Sequence, residues 1–129
     1  MEDKLILFQK IYDLTLWLFP LVNRIPKFHK VVLGRQLEEL ALSLLLRVLS
    51  ANRARGAKRK RLQLTLSDEL DKLRILLRLT KDLRFMSIKQ YSYSARMMNE
   101  IGKILYSWTR STPKKKDLVK QEVNLRLFD

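Results

Sequence analysis

The side chains able to make or break bonds are few in this chain and poorly spaced for it. There is no cysteine, which excludes a disulfide framework, a zinc ribbon and a thiolate nucleophile. The one histidine, His29, stands near a predicted helix start and reads as a surface or cap residue. The tightest carboxylate cluster, Asp68, Glu69 and Asp71 in "SDELD", points in different directions around a helix, whereas an acid and base pair must face a common cleft. Asp71 is expected instead to pair with Arg74, one turn on, or with Arg78. No Glu-x-x-His pair of the kind used by dinuclear metal sites in bundles occurs, and Gly34, Gly56 and Gly102 stand alone rather than in a phosphate-cradling loop. The chain is therefore expected to be no enzyme and to hold no metal or cofactor.

What remains is binding. The 27 basic and 13 acidic residues leave a formal net charge of +14, which makes polyanions the default partner class. The cations are spread over several segments rather than confined to one amphipathic helix, and this favours nucleic acid over an anionic membrane. One cluster is "NRARGAKRKR", with Arg53, Arg55, Lys58, Arg59, Lys60 and Arg61. A second is the row Arg74, Arg78 and Lys81 in "LRILLRLTKDLR", where Arg84, at the helix end, is placed to cap carbonyls. A third is Lys89, Arg96 and Lys103, spaced by seven. The first cluster is expected to align with the second at one end of the fold as a phosphate-binding track. The aromatic residues fall mainly at core spacing, so binding is expected to follow backbone and shape rather than sequence.

The elements that must position these cations are helical. At 129 residues the chain is one domain by length, and three glycines and three prolines leave little material for the turns of a many-stranded fold. Four helix-length segments are predicted. The first covers about Asp3 to Asn23, with Pro20 bending or ending it. The second covers about Lys27 to Arg55, with Gly56 as a left-handed cap. The third runs from "AKRKR" to about Phe85. The fourth begins after Ser87, whose spacing to Gln90 is that of a capping box, and reaches about Arg110. The expected architecture is all-α, an up-down-up-down antiparallel four-helix bundle over residues 1–111. Residues 112–129 read as a charged, flexible tail, in which Leu118, Val119, Leu125, Leu127 and Phe128 could dock on a surface. Glu2 and Asp3 before the apolar run argue against a signal peptide, and Leu14 to Val22 falls short of the roughly 20 residues that span a bilayer. A cytoplasmic protein with no membrane contact is expected.

Apolar residues exceed what one core needs. In the third helix Leu62, Leu66, Leu73, Leu76, Leu77, Thr80 and Leu83 share the face assigned to the core, while Leu64, Ile75 and Leu79 lie elsewhere. The first helix adds Leu5, Tyr12, Leu16 and Phe19 to its core row of Leu7, Ile11, Leu14 and Leu18. The second adds Leu42, Leu45, Leu46 and Leu49 to Leu33, Leu37, Leu40, Leu44 and Val48. Surplus faces of this extent mark a protein interface, so a homo-oligomer is expected. The fourth helix keeps Tyr91, Ala95, Met98, Ile101, Leu105 and Trp108 to one side.

Two stretches in order, "YDLTLWLFPLVNRIPKFHKVVLGRQLEELALSLL" (residues 12–45) and "LDKLRILLRLTKDLRFMSIKQYSYSARMMNEIGKILYSWTRS" (residues 70–111), resemble the accessory variability determinant (Avd) proteins of diversity-generating retroelements. Those belong to a wider four-helix-bundle family that includes proteins encoded in intervening sequences of bacterial 23S ribosomal RNA genes. The resemblance implies a ring-like, basic homopentamer of bundles that binds the element's reverse transcriptase and its RNA template, or a DNA/RNA hybrid. It also implies a non-catalytic role in error-prone complementary DNA synthesis and mutagenic retrohoming. Arg74, Arg78 and Arg84 match the arginines of the family's third-helix phrase, and Lys89 matches a frequently basic place after the fourth N-cap. The chain departs from the family pattern in adding "KKKDLVKQEVNLRLFD" after the fourth helix. The alternatives are an intervening-sequence-type RNA-binding bundle without a polymerase partner, and a purely structural oligomer.

Overall fold

The computed structural model describes residues 2–113, with the side chains of Glu2 and Asp3 excepted. The tail expected from residue 112 therefore lies, beyond Pro113, outside the described residues. Thr112 itself is still packed, with its hydroxyl against the carbonyl of Trp108.

Helix α1 (Glu2–Asn23) runs through Pro20 instead of ending there. Leu18, Leu21 and Val22 are buried on either side of the proline and hold the last turn in place despite the missing N–H. By length and hydropathy the Lys4–Asn23 stretch could cross a membrane, and a third of it is buried in the bundle. Helix α2 starts after Pro26 as Lys27–His29, widens into a π-helical Lys30–Gly34 and continues as Arg35–Arg53. The π segment was not predicted. It brings Gly34 so close to α1 that a Cβ there would lie 2.9 Å from Val22 Cγ1.

Ala54 and Arg55 are extended, and Gly56 has the left-handed φ of 58°. It does not cap α2 as expected but opens α3 (Gly56–Asp82), because the chain leaves α2 two residues earlier. The end of α3 is a Schellman turn: the Phe85 N–H donates to the Thr80 carbonyl over 3.0 Å, and the Arg84 N–H to that of Lys81 over 2.9 Å. Helix α4 (Ile88–Ser111) carries the capping box read from the sequence, with Ser87 Oγ accepting from the Gln90 N–H and Gln90 Oε1 accepting from the Ser87 N–H.

The four helices pack as a bundle in which each contacts the next and α4 returns to α1. Contacts across the seams fix the directions. Lys10 meets Glu100 and Trp17 meets Tyr93, so α1 and α4 are antiparallel; Lys60 meets Thr109 and Lys81 meets Tyr91, so α3 and α4 are too. Leu7, Ile11, Leu14, Leu37, Leu44, Leu66, Leu73, Leu77, Met98 and Ile101 form a fully buried centre. Each such side chain contributes about 1.5–3 kcal/mol by leaving water. Leu70 and Gln63 join the core unpredicted, while Leu83, assigned to it, is exposed because α3 has already ended at Asp82. Leu40, Leu62 and Leu76 are half-buried against the core.

Candidate nucleic-acid interface

Helix α4 is amphipathic in the strictest sense of the four. Met98, Ile101, Leu105 and Trp108 face the core, and the opposite side carries Lys89, Arg96, Lys103 and Arg110, all exposed. At seven-residue spacing and about 1.5 Å rise per residue, neighbouring cations stand about 10 Å apart in a row that drifts about 20° per step. Lys89, Arg96 and Lys103 make no hydrogen bond or ion pair with another described side chain. Glu100 is the only carboxylate on α4, and Lys10 of α1 holds it at 2.6 Å. That hydrogen bond and the charge of Lys10, helped by Arg96 and Lys103, keep its carboxyl below the ordinary glutamate range. The acid is thus turned towards the α1 seam.

The cations of α3 behave differently. Lys60, Arg74 and Lys81 differ by multiples of seven and lie on the edge of α3 that meets α4. Lys60 Nζ donates to the carbonyls of Thr109 (2.7 Å) and Thr112 (3.2 Å) at the C-terminal turn of α4, where the Thr109 carbonyl also accepts from the Thr112 N–H. Arg74 Nη1 donates to Asn99 Oδ1 (2.9 Å) and Nη2 to the Met98 carbonyl (3.1 Å). Lys81 Nζ sits 4.6 Å from the centre of the Tyr91 ring and 3.3 Å from Asp82. The row expected to grip phosphate is largely a seam that fastens α3 to α4. Arg78 stays exposed beside Asp82 at 3.8 Å, and Asp82, not Asp71, is the carboxylate that pairs with this row.

Arg84 is also reassigned. Its φ is 66°, and the C-terminal carbonyls of α3 are capped by backbone N–H groups, leaving its side chain exposed. In the inter-helix cluster, Arg59 Nε donates to the Ala51 carbonyl (3.1 Å) and Nη2 to that of Asn52 (2.9 Å), closing α2, while its guanidinium lies 5.7 Å from the Trp108 ring centre. Arg53, Arg55, Lys58 and Arg61 are exposed.

The two α3 clusters do not share one end of the bundle. Lys60 and Lys81 are separated by about 30 Å of helix, so one cluster lies at the α2–α3 turn and the other at the α3–α4 turn. The α4 row runs the same distance between those ends.

The extra apolar residues face away from the core on the other three helices. Leu5, Tyr12 and Leu16 on α1, Leu42 and Leu46 on α2, and Leu64, Ile75 and Leu79 on α3 are exposed, and Phe19 is half-buried. Tyr12, Leu16, Phe19, Leu42 and Leu45 line an apolar groove of about 320 Å³ between α1 and α2.

Sequence reasoning missed the polar lock between α2 and α3, where Arg47 Nε meets Glu69 Oε1 at 2.6 Å and Ser43 donates to the other carboxylate oxygen. It also missed Phe28, Val31, Val32 and Ile88, all exposed near the two turns that His29 and Phe85 join, their rings tilted by 39° with centres 4.8 Å apart. The i, i+3, i+4 spacing of Phe28, Val31 and Val32 was the available signal.

The model of the bAvd-like family matches residues 5–112. The chain belongs to the bAvd-like family. No curated protein and no solved structure matches it. The bAvd-like match takes in α2, α3 and α4 whole, and with them the α4 row and the α3 seam. It agrees with the Avd resemblance carried by residues 12–45 and 70–111. In this bAvd-like bundle Lys89, Arg96 and Lys103 form an exposed row along α4.

Proposed function

We propose that this protein is a non-catalytic accessory subunit of a diversity-generating retroelement, acting in the cytoplasm. It binds the element's reverse transcriptase and RNA, and supports mutagenic complementary DNA synthesis and retrohoming. Membership of the bAvd-like family supports the retroelement role. The observation that carries nucleic-acid binding is the row Lys89, Arg96, Lys103 and Arg110 on α4. Cations every 10 Å or so along a rigid rod can follow a phosphate backbone without reading bases. The exposed apolar residues of α1 and α2, with Ile75 and Leu79 of α3, are the surfaces on which copies of the chain assemble, a pentameric ring as the Avd resemblance implies; Leu64, which lines the α3–α4 groove, stays outside that interface with the α4 rows.

The test is RNA binding by wild type and by Arg96→Glu/Lys103→Glu. Both positions are exposed, so helicity is retained. In single-stranded RNA, log affinity falls by about 0.7 per neutralised phosphate for each log unit of salt, and the variant's slope is shallower by one to two such increments. Unchanged affinity and slope in a folded variant would rule out the α4 row. Copurification with a diversity-generating retroelement reverse transcriptase coexpressed with the chain separates the accessory role from an RNA-binding bundle that has no polymerase. Light scattering reads the oligomer, and a monomer at micromolar concentration would exclude the ring.

A further inference from the structure

Beside the α4 row lies a groove between α3 and α4 of about 530 Å³, within the roughly 300–1,000 Å³ of ligand pockets. Its apolar floor includes Leu70 and Leu105. Tyr106 forms a wall and is 66% exposed, whereas Tyr91, Tyr93 and Trp108 on the same helix are half-buried or buried. The Arg110 guanidinium stands 5.8 Å from the centre of the Tyr106 ring. The sequence offered no exposed aromatic platform; the structure does.

The polar groups of the groove are prearranged. Asn99 Oδ1 accepts from Arg74, which orients the amide so that its nitrogen remains to donate elsewhere. Gly102 lets the Arg74 guanidinium reach the Met98 carbonyl on the α4 backbone. Lys103 lies on the α4 side of the rim.

We propose that this groove receives one unstacked base of a single-stranded nucleic acid, with Tyr106 stacking on it, Asn99 donating to a base carbonyl, and Lys103 and Arg110 holding the flanking phosphates. The inference rests on the nucleic-acid reading above and names the strand type. Two properties select this occupant. The groove continues directly into the α4 row, so a strand tracking the row passes its mouth. Its lining cations, Arg74 and Lys103, outnumber its one carboxylate, Asp71, and Arg110 stands beside Tyr106 at the edge, so an anionic guest is matched. A paired base in a duplex cannot enter.

Fluorescence anisotropy with a labelled mixed-sequence RNA, presented single-stranded and as a blunt duplex, tests this on wild type, Tyr106→Ala and Tyr106→Phe. The ring is largely outside the core, so both variants fold, and circular dichroism verifies it. Tyr106→Ala is expected to weaken single-strand binding roughly 5- to 100-fold, as loss of one base–aromatic stack does. Tyr106→Phe keeps the affinity, and duplex binding and its salt dependence stay the same in both. Wild-type single-strand affinity in Tyr106→Ala, or equal losses for both strand types, overturns the base site while leaving the α4 row standing. Absence of any RNA binding by wild type removes the nucleic-acid reading and this inference together.

Discussion

Arg74 reaches the backbone of α4 because Gly102 has no side chain. The Arg74 Nη2 lies 3.1 Å from the Met98 carbonyl oxygen, and a Cβ on Gly102 would stand 2.6 Å from that same nitrogen. A glycine inside a helix costs about 1 kcal/mol relative to alanine, so the position gives up propensity for an inter-helix bond.

Gly102→Ala is expected to change stability little, since the propensity gain offsets the displaced guanidinium. The coupling is the sharper measurement. Arg74→Met should cost about 1 kcal/mol with Gly102 present and close to nothing in the Gly102→Ala background, as read by urea denaturation in a double-mutant cycle. Equal costs in the two backgrounds would show that Gly102 does not hold the bond open.

Gln63 is fully buried, and neither its amide oxygen nor its nitrogen has a hydrogen-bond partner among the described residues. An unsatisfied buried amide costs about 1–3 kcal/mol, and methionine has nearly the same shape without the polar atoms. Gln63→Met should raise the urea midpoint with an unchanged m-value. A lowered midpoint would mean that the amide is satisfied in solution.

Arg84 adopts the left-handed conformation at the C′ position of a Schellman turn, where glycine is the usual residue. A side chain there costs about 1–2 kcal/mol in sterics, and the freer unfolded chain of a glycine variant offsets part of the relief. Arg84→Gly should therefore stabilise by about 0.5–1 kcal/mol in thermal or urea unfolding. A loss of stability would show that the exposed arginine side chain makes a contact worth more than its strain.

Much of this fold was legible because its signals are local. Ser87 and Gln90 announce the start of α4 in four residues, and the spacing of Leu7, Ile11, Leu14 and Leu18 marks a buried face without knowledge of the other helices. The α4 row was equally visible, since seven-residue spacing depends on one helix alone. The α3 row misled because a cation's charge is written in the sequence but its destination is not. Lys60, Arg59 and Arg74 end on carbonyls 49, 8 and 24 residues away. A long flexible side chain facing a seam is drawn to such orphaned or accessible acceptors before it is available to any phosphate. The π-helical turn was hidden for the same reason, as it depends on Gly34 meeting Val22 across the α1–α2 seam.

The Lys10–Glu100 pair gives a pH dependence whose sign is set by geometry. The Lys10 hydrogen bond and charge hold the Glu100 carboxyl below its ordinary value of 4.5, so folding favours the ionised form. Its contribution is fully present above that ordinary value and disappears as pH falls through the folded-state pKa. Wild type should therefore be more stable than Glu100→Gln at pH 7, and the gap should close as the pH is taken from about 4.5 downward. Both side chains are a third or more exposed, so the gap should also shrink in about 1 M salt. A gap that widens on acidification would assign the pair the wrong sign. The same variant removes the only carboxylate from α4, and RNA affinity at low salt should rise with it, because the field of Arg96 and Lys103 is no longer partly cancelled.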